Sequence, residues 1–101
     1  MNNQKPFSQK VYDLISRIPS GKVSTYRLIA RKLNSKAYRA VGQACKRNDY
    51  APKIPCHRVV KSNGEIGGFA YGTKKKIEML RKEGVEIIDR KVDLERYGFE
   101  F

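Results

Sequence analysis

The chain has 101 residues, enough for a single domain with one modest hydrophobic core. Charged residues make up 32% of the sequence and hydrophobic residues 40%, which favours a folded soluble protein over a disordered one. No apolar run approaches the length of a membrane span, and the polar N-terminus lacks the apolar core of a signal peptide, so we expect no membrane partner and a cytoplasmic location. Two cysteines and one histidine predict neither a disulfide framework nor a metal site.

The formal net charge of +12 is the strongest signal in the composition. It arises from 22 Lys and Arg against 10 Asp and Glu. Such an excess indicates a polyanionic partner, most simply a nucleic acid. A solvated, lysine-rich surface of the kind found in thermophile proteins remains the alternative.

Two helices are predicted in the first third of the chain. Apolar residues at positions 7, 11, 14, 15 and 18 repeat with helical period, which predicts a helix over 7–18 with Ser8 as its N-cap. Pro19 should end it. After a turn, Thr25 offers a cap for a second helix over Tyr26 to Leu33.

A third helix is predicted from Lys36 to Arg47, directly after a break at Asn34-Ser35. One face carries small or apolar residues: Ala37, Ala40, Val41, Ala44 and Cys45. The opposite face carries Lys36, Arg39, Gln43, Lys46 and Arg47. Two short helices with a basic second one are typical of a helix-turn-helix, although an ordinary amphipathic surface helix fits the pattern equally well. Cys45 should point inward as a core residue without a chemical role.

Cys56 is followed directly by His57, the only histidine of the chain. A thiol becomes a strong nucleophile as the thiolate, and a neighbouring imidazole or cation is the usual means of lowering its pKa. Pro55 lacks an N–H and has a fixed φ, so the cysteine should lie in a loop and not inside a helix. Residue types alone leave open whether this is a reactive pair or a small buried thiol beside a surface histidine.

A small β-hairpin is predicted immediately after this pair. Its strands would be 58–61 and 65–66, joined by Asn63-Gly64, which supplies the positive φ angles of a primed turn. The segment 67–72 is too rich in glycine for regular structure, and it would let the backbone approach a ligand closely.

A last helix and a tail complete the chain. Thr73 is expected to cap the helix, and Gly84 is expected to end it at the C′ position. Residues 85–88 should be extended. The aromatic tail should pack back on the body.

Several separated motifs together resemble one family. Pro55-Cys56-His57-Arg58-Val59 resembles the active-site motif of the O6-alkylguanine-DNA alkyltransferases, also called methylated-DNA–protein-cysteine methyltransferases. Further matches follow the family's order: Gly21 to Tyr26 with its pocket tyrosine, Arg39 to Gly42 in its recognition helix, Asn48, and Glu83-Gly84. The resemblance covers about 19–88 and corresponds to the family's C-terminal catalytic domain only. We expect residues 1–101 to form one such domain, with 89–101 as its C-terminal tail.

The resemblance implies a fold that is mainly α with a small β-hairpin, a winged-helix-like helix-turn-helix domain. It also implies direct DNA repair by a suicide enzyme, a methylated-DNA–[protein]-cysteine S-methyltransferase. This enzyme would act as a monomer on double-stranded DNA containing O6-alkylguanine, irreversibly, in a single turnover, without cofactor or metal. Cys56 would attack the alkyl carbon and His57 would take the thiol proton through a water. Glu83 would orient the imidazole, and Asn48 would brace the turn around the cysteine.

The resemblance also implies contacts with the base and the duplex. Tyr26 would hydrogen-bond guanine N3 and help flip the nucleotide, the Val59 carbonyl would read the exocyclic amine, and the Ala70 N–H the oxygen. The recognition helix would lie in the minor groove, with Arg39 entering the base stack. Its DNA-binding residues would be Lys36, Arg39, Ala40, Gly42 and Gln43.

Some positions depart from the family pattern, and two other classes compete. Tyr38 and Gln43 replace smaller residues, Ala70 replaces a common serine, and Tyr71 replaces a frequent glycine, which puts the substrate range in doubt. An alkyltransferase-like protein that reads alkylated DNA without reacting would carry another residue in place of Cys56. A helix-turn-helix regulator with an incidental cysteine would leave the His57–Glu83 pair and the glycine loop unexplained.

Overall fold

The computed structural model describes residues 6–48 and 53–101. Within them the chain forms five α-helices, one 3₁₀ helix and four two-residue strands. In chain order these are α1 (Phe7–Ile15), β1 (Ser24–Thr25), α2 (Tyr26–Lys32), α3 (Tyr38–Lys46), the 3₁₀ helix (Cys56–Arg58), β2 (Val59–Val60), α4 (Thr73–Lys82), β3 (Ile87–Ile88), β4 (Lys91–Val92) and α5 (Leu94–Tyr97). The predicted fold class, mainly helical with a small antiparallel hairpin, is confirmed. No helix in the described ranges is long and apolar enough to cross a bilayer.

Helix α1 is shorter than predicted and begins differently. Its N-cap is Pro6, whose carbonyl accepts the Lys10 N–H at 3.1 Å, so Ser8 lies inside the helix and does not cap it. At the other end the backbone tightens into i→i+3 bonds, such as the one from the Ile18 N–H to the Ile15 carbonyl at 3.0 Å. The helix therefore ends at Ile15 and not at Ile18, and both of these residues are buried.

Helices α2 and α3 form the predicted pair with a tight turn. The Thr25 hydroxyl accepts the Leu28 N–H at 3.0 Å, which confirms this residue as the N-cap of α2. Between the helices, the Ser35 hydroxyl accepts the Ala37 N–H at 2.9 Å, and Ala37 has a non-helical ψ of 53°. Helix α3 therefore begins at Tyr38, two residues after the predicted start.

The hairpin forms at a different place from the one predicted. Strand β2 pairs in parallel with β1, in the register Ser24 to Val59, and not with 65–66. The chain does turn here, since the Gly64 N–H donates to the Lys61 carbonyl and the Lys61 N–H donates to the Glu65 carbonyl, each at 2.8 Å. Gly64 has a positive φ but Asn63 does not, so the prediction of a primed Asn63-Gly64 turn was wrong. The antiparallel hairpin is β3–β4, whose turn residues Asp89 and Arg90 have φ values of 52° and 62°. Burial of Ile87 and Val92 stabilises this pairing in place of the favoured turn sequence.

Two hydrophobic clusters meet at the segment that carries Cys56. The first contains the buried faces of α1, α2 and α3: Val11, Leu14, Ile15, Ile18, Ile29, Ala30, Val41, Ala44 and Cys45, together with Cys56, Val59 and Phe69. The second contains Val60 with residues of the C-terminal half: Val23, Ile66, Leu80, Val85, Ile87, Val92 and Tyr97. The 3₁₀ helix and β2 are therefore held from both sides.

The C-terminal elements follow the prediction in most respects. Helix α4 is followed by Gly84 at φ +89°, as expected for a C′ glycine. Its N-cap is Gly72 at φ +91°, and no side chain caps it, so the prediction for Thr73 was wrong. The tail packs back as expected, because the Val23 N–H donates to the Tyr97 carbonyl and the Phe99 N–H donates to the Val23 carbonyl.

Candidate active site

Cys56 is the first residue of the 3₁₀ helix and is completely buried. Pro55 precedes it outside helical conformation, as its ring predicts. Asn48, itself buried, donates from its side-chain amide to the Ile54 carbonyl at 2.8 Å and to the Cys56 Sγ at 3.2 Å. Asn48 therefore links the end of α3 to the entry of the 3₁₀ helix and places an N–H donor on the sulfur.

The surroundings of Cys56 favour its thiolate. The neighbouring Cys45 thiol is the largest cause that lowers the pKa of Cys56; burial opposes this, and the Asn48 amide and the Lys76 cation add to the lowering. Cys56 and burial raise the pKa of Cys45, which stays protonated. Cys45 faces inward as predicted, and it lies in the same buried cluster as Cys56.

His57, Glu83 and Arg58 form one hydrogen-bonded network beside the cysteine. The His57 Nε2 lies 2.9 Å from the Glu83 Oε2, and the Arg58 guanidinium grips the same carboxylate with bonds of 2.9 and 2.7 Å. Arg58 also donates to the Ile18 carbonyl at 2.7 Å, so it has a structural role. Since Glu83 occupies Nε2, Nδ1 is the nitrogen available for a proton.

The surroundings of His57 and Glu83 shift the pKa values of both groups. Burial is the largest influence on the pKa of His57 and lowers it, against the raising effect of the Glu83 carboxylate. Burial would raise the pKa of Glu83, but the bonds from Arg58 and His57 outweigh it, and the net shift is downward. The pair is therefore an ionised carboxylate holding a neutral imidazole near neutral pH, which is the arrangement of a general base with its orienting group.

Lys76 is the site residue that sequence reasoning missed. It is fully buried, and its ammonium donates to the carbonyls of Val59, Ile66 and Gly68 and to the Tyr26 hydroxyl at 3.2 Å. Burial lowers its pKa from 10.5 to about 8. The Lys74-Lys75-Lys76 run resembles a solvated face. The signal that could have identified position 76 is its place four residues before buried Leu80, on the inward side of α4.

Tyr26 packs directly on the glycine loop. Its hydroxyl donates to the Gly68 carbonyl at 3.3 Å. A Cβ on Gly67, where φ is +76°, would lie 2.9 Å from the Tyr26 oxygen, so only glycine permits this approach. Burial is the main cause that raises the pKa of Tyr26, which therefore remains a hydrogen-bond donor.

The remaining predicted substrate contacts, Val59 and Ala70, differ in exposure. Val59 is buried, and its carbonyl already accepts from Lys76 at 2.6 Å. A carbonyl oxygen has two lone pairs and can accept a second donor. Ala70 lies exposed in the glycine loop, next to buried Phe69. Their predicted roles toward a base are not tested by this geometry.

An open groove of about 540 Å³ separates α3 from the loop around Asn63, and we call it the Tyr26 groove. Its lining residues are Tyr26, Arg27, Tyr38, Arg39, Gly42, Gln43, Lys46, Lys61, Ser62, Asn63, Glu65, Gly67 and Gly68. Arg39 and Gln43 are exposed, whereas Ala40 is half-buried beside them. Three of the five predicted DNA-binding residues line the groove, namely Arg39, Gly42 and Gln43, whereas Lys36 lies before the helix and lines a neighbouring depression. Cys56 is not part of the groove lining.

The structure thus brings one predicted set together around the cysteine and a second set along the groove. Cys56, His57, Asn48 and Glu83 are joined by direct hydrogen bonds or chain adjacency. Tyr26 belongs to both sets, because it lines the groove and its hydroxyl contacts the buried lysine. Within the described residues, no three His, Cys, Asp or Glu side chains gather as a metal site would require.

Comparison with known proteins shows which family this chain is similar to. Residues 6–85 match the family model of the 6-O-methylguanine DNA methyltransferase DNA-binding domain. The bifunctional methyltransferase/endonuclease of Picrophilus torridus is 42% identical over 88% of the chain, and the methylated-DNA–protein-cysteine methyltransferase of Methanocaldococcus jannaschii is 46% identical over 84%. The structure of S. pombe Atl1 in complex with damaged DNA containing O6-carboxymethylguanine superposes with a TM-score of 0.84 and 38% identity.

The chain spans a different fraction of the length of each of these relatives. It covers 30% of the Picrophilus protein and 50% of the Methanocaldococcus protein. By contrast, 94% of the chain aligns with 95% of the Atl1 chain. With a matching family model over four-fifths of its length, the chain belongs to the 6-O-methylguanine DNA methyltransferase family, in the part that forms the DNA-binding domain.

Proposed function

We propose that this chain repairs DNA directly, by moving an alkyl group from O6-alkylguanine onto Cys56. The observation that carries the proposal is the Cys56 sulfur itself, which accepts from the Asn48 amide and adjoins an imidazole held by a carboxylate. This is a nucleophile that is followed in the chain by a base, with an orienting group in hydrogen-bonding reach of that base. The portion of the longer methyltransferases that the chain matches would accordingly be their catalytic domain.

The chemistry is an in-line displacement on carbon. An electron pair of the Cys56 thiolate forms the new S–C bond while the bond between the alkyl carbon and guanine O6 breaks, and its electrons stay on the base. The thiol proton would go to His57 Nδ1 through a bridging water, because Nδ1 has no direct hydrogen-bond partner among the described residues. Glu83 stabilises the imidazolium that results, since its carboxylate lies 2.9 Å from Nε2. The thioether product has no leaving group with which to regenerate the thiol, so each molecule reacts once.

Tyr26 and its supports would handle the leaving base. Its hydroxyl would donate to guanine N3 as negative charge develops there, and the neighbouring Lys76 ammonium would stabilise that charge at short range. The Val59 carbonyl would accept from the exocyclic amine, and the Ala70 N–H would donate to the oxygen.

DNA would lie along the Tyr26 groove, with α3 against the minor groove. The net charge of +12 supports binding to phosphates, and small Ala40 and Gly42 permit close approach to a narrow groove. Arg39 would occupy the gap left by the flipped nucleotide. Because Cys56 is buried behind the groove, the base would reach it only after Tyr26 and the 67–72 segment separate.

A second candidate is a damage reader that binds alkylated DNA without reacting. The near-complete alignment with Atl1, which was solved on damaged DNA, favours this class. The presence of a cysteine in a thiolate-supporting environment favours transfer. The two functions predict different masses for the protein after exposure to the lesion.

Intact-protein mass spectrometry after incubation with excess duplex DNA containing one O6-methylguanine tests the proposal. We expect one added methyl mass per chain, on the peptide containing Cys56, and then no further reaction. Cys56→Ser should bind the lesion and gain no mass, because a serine hydroxyl is a weak nucleophile near neutral pH. Tight binding by the parent chain without a mass change would place it among the readers, and repeated turnover would contradict the mechanism.

A further inference from the structure

A second open depression, of about 600 Å³, lies between α2 and the beginning of α3, and we call it the Arg31 depression. Residues of α2, of the turn that follows it and of the first position of α3 line it. Arg27 and Tyr38 line both this depression and the Tyr26 groove, so the two share one wall. The function proposed above uses only the groove, although Lys36, one of the predicted DNA-binding residues, lines the depression.

The charge of the Arg31 depression is entirely positive. Its charged side chains are Arg27, Arg31 and Lys36, and all three are exposed. No carboxylate lines the depression, and within 6–48 and 53–101 none of the three cations forms an ion pair. Exposed cations that the protein itself does not neutralise attract polyanions, and each phosphate that they neutralise releases counterions. The chemistry of the lining therefore fits a run of phosphates.

The turn that forms one side of the depression is held by its own backbone. The Ser35 N–H donates to the Ala30 carbonyl and the Asn34 N–H donates to the Arg31 carbonyl, each at 2.9 Å. Asn34 has a φ of 55°, so the end of α2 is a Schellman motif with asparagine in the left-handed position. The charged side chains therefore extend from a backbone that is already fixed.

The wall between the groove and the depression orients one of the arginines. The Arg27 guanidinium lies over the Tyr38 ring, 5.4 Å from the ring centroid, and Tyr38 is 40% exposed. A guanidinium held against a ring keeps the N–H groups at its edge available, and they match two oxygens of a phosphate. The ring contact also removes part of the conformational freedom that a mobile arginine would lose on binding.

We propose that the Arg31 depression binds the phosphodiester backbone of the same DNA duplex that lies along the Tyr26 groove. The groove and the depression then hold neighbouring stretches of the duplex, with the Arg27–Tyr38 wall between them. The placement of the duplex rests on the proposed function, whereas the match between three exposed cations and phosphate does not. Such contacts position a duplex and read no base sequence. They also extend the protein's contact with DNA beyond α3, onto α2.

The salt dependence of binding to undamaged duplex DNA tests the proposal with the full chain and without alkyl transfer. Arg31→Gln and Lys36→Gln each remove a cation that lines the depression and not the Tyr26 groove. Each should reduce the slope of log affinity against log salt by about 0.9, and the double variant by about 1.8, for duplexes of any sequence.

Lys32→Gln is the matched control for these two variants. Lys32 is an exposed cation of α2, but it lines neither the groove nor the depression. Its removal lowers the net charge by the same amount, so its salt slope should stay close to that of the parent chain if the contacts are local.

Substitutions in the shared wall supply a second arm. Tyr38→Phe keeps the ring against Arg27 and should bind the duplex as the parent does. Tyr38→Leu removes the ring and should weaken binding by about two- to fivefold, the usual contribution of an exposed cation–π contact. Arg27→Lys keeps the charge but loses the planar fork, so it should lower the affinity by a similar factor with the salt slope unchanged.

The inference is wrong if Arg31→Gln and Lys36→Gln keep the parental salt slope, or if Lys32→Gln loses as much slope as they do. Parental affinity in both Tyr38→Leu and Arg27→Lys would contradict the part assigned to the wall. A chain that shows the expected slopes but transfers no alkyl group refutes the proposed function and leaves this inference standing. A chain that transfers the group while its variants keep the parental slope refutes only the inference.

Discussion

Around Cys56 the polar side chains are buried and bonded to one another, whereas the groove side of α3 presents exposed side chains. His57, Asn48 and Lys76 are each at most 1% exposed, and each has partners at hydrogen-bonding distance. Arg39 is exposed and forms no ion pair with any residue in 6–48 or 53–101. The first region is fixed in place by short-range bonds. The second is available for a partner.

The two regions of this small domain therefore depend on different kinds of interaction. Buried charges and hydrogen bonds act at short range, depend on pH and are costly to disturb, because nothing replaces a lost partner. Exposed cations act through the field they create, so each contributes little and salt weakens them. Changes in the two regions should therefore differ in size and in the variable that reveals them.

The largest effect is expected for Lys76 in the buried region, and it concerns the free energy of unfolding. Its pKa is about 8 in the folded chain against 10.5 unfolded, so between these values the unfolded chain binds more protons. The free energy of unfolding should therefore rise with pH over this window, by about 3 kcal/mol from Lys76 alone. Lys76→Met removes that contribution. Denaturant titrations across the window should show the parent gaining stability relative to the variant.

Lys75→Met is the matched control, because Lys75 is an exposed neighbour on the same helix. Its pH dependence of unfolding should follow that of the parent. Parallel curves for the parent and Lys76→Met would show that Lys76 keeps its ordinary pKa despite its burial.

The next effect concerns Glu83 and the rate of transfer. Glu83→Gln removes the charge that raises the pKa of His57, so the imidazole becomes a weaker base. We expect the methylation rate to fall about tenfold, which is one pKa unit of lost basicity, while DNA affinity is unchanged. The measurement is the pH profile of Cys56 alkylation. Glu78→Gln changes an exposed glutamate of α4, and its pH profile of alkylation should overlap that of the parent. If the profile of Glu83→Gln also overlaps that of the parent, Glu83 is only a helix-end residue.

Arg39 tests the exposed region with salt and substrate instead of pH. Arg39→Ala should weaken duplex binding by about 1 kcal/mol and reduce the slope of log affinity against log salt by about 0.9. It should slow the repair of duplex DNA more than the reaction with free O6-benzylguanine, which needs no flipping. Arg17→Ala removes an equal charge outside the Tyr26 groove and should do less. Equal losses on both substrates would exclude a flipping role.

The smallest effect is expected at Gly42, where one substitution should increase fold stability and weaken DNA binding. A Cβ on Gly42 would meet nothing within 4 Å, and alanine is the better helix former, so Gly42→Ala should stabilise the fold by about 0.5–1 kcal/mol. The added methyl would stand in the groove and should weaken DNA binding. Gly67→Ala should instead lower the melting temperature, given its contact with Tyr26. Undiminished DNA binding by Gly42→Ala would mean that α3 does not approach the duplex on this side.

Local sequence patterns determined the elements whose causes lie within a few residues. The cap of α2 at Thr25, the end of α4 at Gly84 and the inward face of α3 each follow from spacing and backbone chemistry over one or two turns. The Cys56–His57 pair is likewise visible as adjacent letters. Even so, the N-cap of α1 and the start of α3 differ from the prediction, because the Pro6 carbonyl and the Ser35 hydroxyl accept backbone N–H groups, which the periodicity does not report.

Only the tertiary structure decided which distant residues meet. Tyr26 and Lys76 are separated by 50 positions, and Cys45 and Cys56 share one buried cluster although they belong to different helices. Strand β2 paired with β1 and left the antiparallel hairpin to β3 and β4. Such choices depend on which arrangement buries the most apolar surface while most buried polar groups keep a partner, and that sum is taken over the whole chain. A lysine in a basic run therefore became the buried cation of the site, because three carbonyls and a hydroxyl converged where its side chain was held.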